Sequence, residues 1–205
     1  MLQTPRQALE AALRDPDFVD LSKLPNVRVD LRYGTKRNLL GRDVYGGFQH
    51  ALMHKEAAAK FQVASASLAS AHPSLHFLIF DALRPQSAQR EFWELVRDTP
   101  QQPFFADPAR GSIHSYGFAV DLGLASANGT ELDLGTPFDD LTELAGPQNE
   151  EAMLAAGRLS QAQLDLRLIL RSTMEGAGFI QLPHEWWHYD ALPAAHVRAT
   201  YRRCE

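Results

Sequence analysis

Cysteine is almost absent. Cys204 is the single one and stands next to last, which excludes an intramolecular disulfide, and a thiol on a fraying terminus is a poor nucleophile. No run of lysine or arginine occurs, and the net charge is −5, so neither nucleic acid nor an anionic membrane is indicated as a partner. No apolar stretch approaches the length of a membrane span. Met1 to Asp20 lacks a continuous apolar segment and carries Glu10, Asp15 and Asp17, unlike a secretory signal, so the cytoplasm is the expected location. Repeats, linkers and low-complexity tracts are also missing. The 205 residues therefore read as one domain, 1–205, and the 45% apolar content is enough for a core. Homo-oligomer formation is left open.

What is present alternates helix and strand signals. Residues 5–14 suit a short helix, and Val27 to Tyr33 alternates like a half-buried strand. Met53, Ala57, Phe61, Ala64 and Leu68 share one face of a helix expected over 51–71 and stopped by Pro73. Leu75 to Asp81 is almost wholly apolar, as in a strand buried on both faces, and it displays Arg84 where it leaves the core. A helix over about 86–97 would bury Ala88, Phe92, Leu95 and Val96, and Pro100, Pro103 and Pro108 mark a loop. Phe118 to Leu124 reads as a strand with Ala119, Asp121 and Gly123 on one face, leaving room beside the carboxylate. Asn128-Gly129 signals a type I′ hairpin returning through Thr130 to Leu134, and 135–158 reads as a surface excursion over the site. Ser160 and Gln163 form a capping box, with Leu159 and Leu164 as its staple, for a helix to about Glu175 that buries Leu166, Ile169, Leu170 and Thr173. Gly178 to Leu182 is a further strand leading to Glu185 and His188, and a short Arg-rich segment over 193–205 closes the chain.

Two clusters carry chemistry. Gly111 to Gly123 sets His114 and Asp121 seven residues apart, and Pro183 to Tyr189 contains Glu185 and His188. Together they hold the ligand types and the base that a catalytic zinc needs. His184-Glu185-Trp186-Trp187-His188 matches the His-Glu-x-x-His pattern of zinc peptidases, which requires a helix. Pro183, the strand-like residues before it and Pro193 leave room for a turn or two at most, and Ala191 and Ala194 stand where the extended pattern wants Gly and His. Context disfavours that reading, and His184 is assigned to the surroundings of the site or to the surface. Ser112 and Ser115 lack the glycines of a nucleophile elbow. Trp186 and Trp187 read as core or pocket wall. On the residues alone, Arg84 is also compatible with a structural ion pair.

Ser112-x-His114-x-x-Gly117-x-Ala119-x-Asp121 followed by Glu185-x-x-His188 resembles the D-alanyl-D-alanine dipeptidases, the family of the VanX-type enzymes, related to zinc DD-carboxypeptidases and the hedgehog domain. Asp81-Ala82-Leu83-Arg84-Pro85, Arg32-Tyr33, Val44-Tyr45-Gly46-Gly47 and Gly135-Thr136-Pro137-Phe138-Asp139 extend the resemblance over nearly the whole chain. Leu83 departs from the family's usual tyrosine, which bears on substrate breadth. The resemblance implies that His114, Asp121 and His188 bind one Zn²⁺, with Glu185 as general base and Arg84 stabilising the oxyanion. It further implies that Ser112, Tyr33, Asp139 and Tyr45 meet the substrate, Tyr33 and Asp139 at its ammonium group.

The expected fold is α+β, a small and largely antiparallel sheet with packed helices and zinc in a cleft on the sheet. The expected activity is hydrolysis of D-Ala-D-Ala or a closely similar free dipeptide, with loops 34–50 and 135–158 as walls of a small pocket. The alternatives are a peptidoglycan stem-peptide peptidase of the same fold and a zinc-stabilised binding domain without turnover. Glu185 and Arg84 argue against the last, because a structural site needs neither a base nor an oxyanion donor.

Overall fold

A computed structural model describes residues 3–99, 102 and 106–205. Pro100 and Pro103, expected in a loop, lie outside the described residues. Helix α1 (Pro5–Arg14) begins at a capping box made by Thr4 and Gln7. Strand β1 (Phe18–Asp20) follows, then β2 (Val27–Val29). The strand expected to reach Tyr33 stops at Val29, and a 3₁₀ turn over Arg32–Gly34 bends Tyr33 into the interior. Strand β3 (Leu52–His54) pairs antiparallel with β1, so α2 (Lys55–Ala71) starts four residues later than the periodicity suggested, with Met53 in the strand.

Strand β4 (Leu75–Asp81) occupies the expected span. Helix α3 (Gln86–Val96) buries Ala88, Phe92 and Val96, but Leu95 is 49% exposed, and Gln86 and Gln89 are buried in its place. Strand β5 (Ala119–Ser126) runs two residues past the expected end. Asn128 keeps negative φ and Gly129 takes φ +89°, with the Gly129 N–H donating to the Ser126 carbonyl. That is a three-residue connection closed by a left-handed glycine, not a type I′ turn. The return makes a single bridge, Ala125 to Glu131, rather than a strand. Within 135–158 lie two 3₁₀ turns and α4 (Glu150–Ala155). Helix α5 (Gln161–Gly176) opens at the Ser160–Gln163 capping box and buries Arg167, Leu170 and Met174. Of the other positions expected on that face, Leu166, Ile169 and Thr173 are half-buried. Strands β6 (Ile180–Gln181) and β7 (His188–Asp190) and helix α6 (Ala194–Thr200) complete the chain. Among the described residues no helix is long and apolar enough to cross a membrane.

The main sheet has the order β2-β4-β5-β7-β6. Only β2 and β4 run parallel, so the expected α+β class with a largely antiparallel sheet is the one observed. Helix α2 packs on β4 and α5 on β5 and β6. Phe61 of α2 meets Phe77 of β4 at 5.3 Å between ring centres and Phe179 at 6.4 Å. Each such ring removes roughly 150–250 Å² from water, so these aromatic contacts anchor the helical layer to the sheet.

Candidate active site

The site is a row across three strands. Asp121 of β5 stands opposite Asp81 on one side and opposite His188 of β7 on the other. Directly opposed residues point to the same face of a sheet. A bulge makes this possible at β4. Ile79 pairs with Leu122 but Asp81 pairs with Asp121, so the register slips by one between them. The extra residue turns Asp81 from the face shared by Ile79 and Leu122 onto the face of Asp121. Gly123, next on that face, makes way for the Phe80 ring, since a Cβ there would lie 2.9 Å from Phe80 Cζ, so the room expected beside Asp121 is filled on that side.

His114 reaches the row from a 3₁₀ turn, Ile113–Tyr116, just before β5. Gly117 ends the turn at φ +74°, and a Cβ on it would meet Phe18 Cε1 at 2.8 Å and the His54 amide nitrogen at 2.9 Å. The Arg84 amide donates to the His114 carbonyl, and the His114 ring donates through Nδ1–H to the Ala82 carbonyl at 2.7 Å. A carbonyl only accepts, so in the neutral ring the lone pair is on Nε2. On the other ring His188 donates through Nε2–H to Asp190 at 2.9 Å, which leaves the lone pair on Nδ1.

Both lone pairs converge on Asp121 Oδ1. His114 Nε2 and His188 Nδ1 lie 3.2 and 3.0 Å from it and 3.1 Å from each other. With both rings neutral, this buried carboxylate oxygen receives no N–H from them. Three acceptor atoms aimed at one point call for a cation. Donors at about 2.0–2.1 Å from a tetrahedral zinc lie about 3.3 Å apart, close to the spacing seen. His114, Asp121 and His188 therefore fit a divalent metal, and the Nε2–H of His188 bound to Asp190 supplies the outer support such ligands ordinarily have. Burial alone would lower the His188 pKa, yet Asp121 and Asp190 flanking the ring raise it well above the usual imidazole value.

The row opens on a cavity of about 450 Å³. Glu185 Oε2 lies 3.7 Å from His188 Nδ1, beside the converging triad but not part of it. Burial, with Asp121 and Asp139 nearby, pushes its carboxyl up to about 7, against the pull of His188 and Arg84. Arg84 is held on three sides. It donates through Nε to Asp81 at 2.7 Å, through Nη1 to Gln89 at 3.3 Å and through Nη2 to Asp121 Oδ2 at 3.2 Å. Two of the five guanidinium N–H groups are left by these bonds. Tyr33 donates to Asp139, at 2.9 Å to the nearer oxygen, and both line the cavity. Asp139 has φ +64°, a left-handed conformation that aspartate adopts more readily than most residues other than glycine. Asp140 is no competitor for that place, since its carboxylate caps the Thr142 amide.

Several expected positions differ in placement. Ser112 lies in the cavity wall, but Tyr45 does not reach it. Tyr45 is wholly buried and donates to Asp81 at 2.8 Å, so it stands behind the row rather than at a ligand. No helix covers 184–188, as the context of that motif implied, and His188 lies in β7. His184 is on the rim, its Nε2 3.8 Å from Glu185. Trp187 forms part of the wall, and Trp186 is buried with its indole N–H on Thr136. The 135–158 excursion contributes Asp139 and Leu141 to the cavity, whereas Lys36 to Leu39 border a neighbouring depression and the segment from Ala106 to Ser112 forms the second wall. Asp190 went unread in the sequence, although His188-x-Asp190 on a strand puts both side chains on one face.

Residues 14–204 match the peptidase family described as D-ala-D-ala dipeptidase. The D-alanyl-D-alanine dipeptidase of Escherichia coli strain K12 is 34% identical over 180 residues, covering 87% of this chain and 86% of that protein. That of Enterococcus faecalis V583 is 27% identical over 191 residues, covering 85% and 90%. That of Synechocystis PCC 6803 is 27% identical over 175 residues, covering 71% of each. A metal-ready triad, a flanking carboxylate and a similarity that runs almost from end to end lead to one assignment: this chain belongs to the D-ala-D-ala dipeptidase family of peptidases.

Proposed function

We propose that the protein is a zinc metallopeptidase that hydrolyses D-Ala-D-Ala or closely similar free dipeptides. The observation that carries this reading is the convergence of the His114 and His188 lone pairs and Asp121 Oδ1, 3.0–3.2 Å apart, beside Glu185. His114, Asp121 and His188 would hold the ion. When bound, zinc supplies a Lewis acid and brings the pKa of a water ligand to about 7. Glu185 accepts the proton of the attacking water and delivers it to the nitrogen of the departing amino acid as the C–N bond breaks. Arg84 directs its remaining N–H groups at the oxygen of the scissile carbonyl, where negative charge develops. Asp139, oriented by Tyr33, receives the substrate's ammonium group, and Ser112 lines the wall beside the reacting bond. Tyr45 acts only through Asp81, which orients Arg84.

The test is direct. Purified protein is incubated with D-Ala-D-Ala, L-Ala-L-Ala and a pentapeptide ending in D-Ala-D-Ala, with and without chelator. Chelator-sensitive release of D-Ala from the dipeptide alone is the expected result. Cleavage of the pentapeptide would instead favour a stem-peptide peptidase, and bound metal without turnover on any of the three would reject the enzymatic reading.

A further inference from the structure

Helix α3 carries two buried amides, Gln86 and Gln89, on the stripe that also buries Phe92 and Val96. Buried glutamine needs partners at both ends of its amide. Gln89 is 1% exposed and has them. Its Oε1 accepts from Arg84 Nη1 at 3.3 Å, and its Nε2 donates to the Ala106 carbonyl at 2.9 Å. The orientation of the amide is fixed chemically, because a guanidinium only donates and a carbonyl only accepts. Phe92, one turn along α3, places its ring 5.2 Å from the Arg84 guanidinium carbon.

The segment that receives Gln89 is part of the cavity wall and is tied down by other side chains. Gln86 and Arg203 donate to the Pro108 carbonyl, and Arg198 donates to that of Gly111. Asp81 and Asp121 hold two sides of Arg84, but both also belong to the row that sets the triad. Gln89 is the third anchor and lies outside that row.

We propose that Gln89 is a positioning residue for catalysis, joining the Arg84 guanidinium to the wall at Ala106 and so fixing where the free N–H groups of Arg84 point. The inference rests on the reading of Arg84 given above. A guanidinium that wanders still carries its charge, but it meets the developing oxyanion less often. The loss therefore falls on the transition state and not on substrate binding.

The experiment is a double-mutant cycle on the zinc-loaded enzyme with D-Ala-D-Ala as substrate. Gln89→Leu is expected to lower kcat about 10- to 100-fold with KM changed less than about threefold. Arg84→Lys alone is expected to lower kcat by roughly 10²-fold. Adding Gln89→Leu to Arg84→Lys should cost less than about twofold more, since the group it positions is already gone. Gln89→Glu keeps an acceptor for Arg84 but has no N–H for the Ala106 carbonyl, so its kcat should fall between wild type and Gln89→Leu, and wild-type kcat in it would deny the Ala106 link its part. Gln89→Asn, which keeps a polar group but falls short of both partners, replaces the leucine variant if that does not melt cooperatively. Losses that multiply in the double variant, or a loss carried by KM, overturn the role of Gln89. Wild-type kcat in Arg84→Lys overturns the reading of Arg84 itself, an outcome distinct from the first two.

Discussion

Asp139→Asn should make the protein more stable and less active, and the stability gain should depend on pH. Burial pushes the Asp139 carboxyl up to about 7, with Asp121 and Asp81 adding to the effect, although Tyr33 and Arg84 oppose it. Its folded-state pKa thus lies above its value in the unfolded chain. Below about pH 4 both states are protonated and the residue contributes nothing. Between about 4 and 7 the folded state binds the proton more tightly, so stability falls as pH rises. Above about 7 both states are ionised and the full penalty remains. A tenfold change in proton affinity corresponds to about 1.4 kcal/mol, which sets an upper value near 4 kcal/mol. The side chain is only half-buried and faces the water of the cavity, and screening leaves about 1–2 kcal/mol. Asparagine has no such charge, tolerates the left-handed backbone at φ +64° and can still accept from Tyr33. In a domain of this length the gain is about 3–6 °C in Tm at pH 8, shrinking towards pH 4. Thermal melts of chelator-treated wild type and variant across that range measure it. The same change removes the carboxylate proposed to meet the ammonium group, and kcat/KM for a dipeptide should fall about 10- to 100-fold. A difference in Tm that is flat with pH, or a variant less stable throughout, would refute the electrostatic argument.

Glu185→Ala should keep zinc at wild-type stoichiometry while activity falls by roughly 10²–10⁴, and an active variant would reject Glu185 as the base. Asp190→Asn weakens the partner that orients His188, so zinc affinity measured by competition with a chelating dye should drop about 10- to 100-fold, and unchanged affinity would deny Asp190 that part. Gly117→Ala sets a methyl group 2.8 Å from Phe18 at φ +74° and should cost about 2–4 kcal/mol in denaturant unfolding, whereas a neutral result would mean that the turn bearing His114 yields easily.

Local signals in the sequence translated well into structure. The apolar run from Leu75 to Asp81 is β4 over its full length, and Ser160 with Gln163 starts α5. Where pairing is non-local, the same reasoning fails. Strands β1, β3 and β7 are three residues each, too short to show a period, so Met53 reads as part of the helix over 51–71 and His188 is assigned to no strand of its own. Thr130 to Leu134 alternates like a strand but makes only one bridge, with backbone bonds from Ser126 to Thr130 and from Leu132 to Leu124 on either side of it.

The site divides along the same line. His114, Asp121, Glu185 and His188 were legible because motif spacing is a property of the chain. Asp81 was legible as a residue but not as a neighbour of Asp121. Alternation along β4 puts Asp81 on the side of Phe77 and Ile79, against α2, where a carboxylate would be stranded among aromatic rings. The one-residue slip between Ile79 and Asp81 is what carries it across the sheet to Arg84 and the triad. Straightening that bulge would leave every residue of the motif in place and still remove the acceptor that aims Arg84, so the geometry of the site depends on strand register as much as on residue identity.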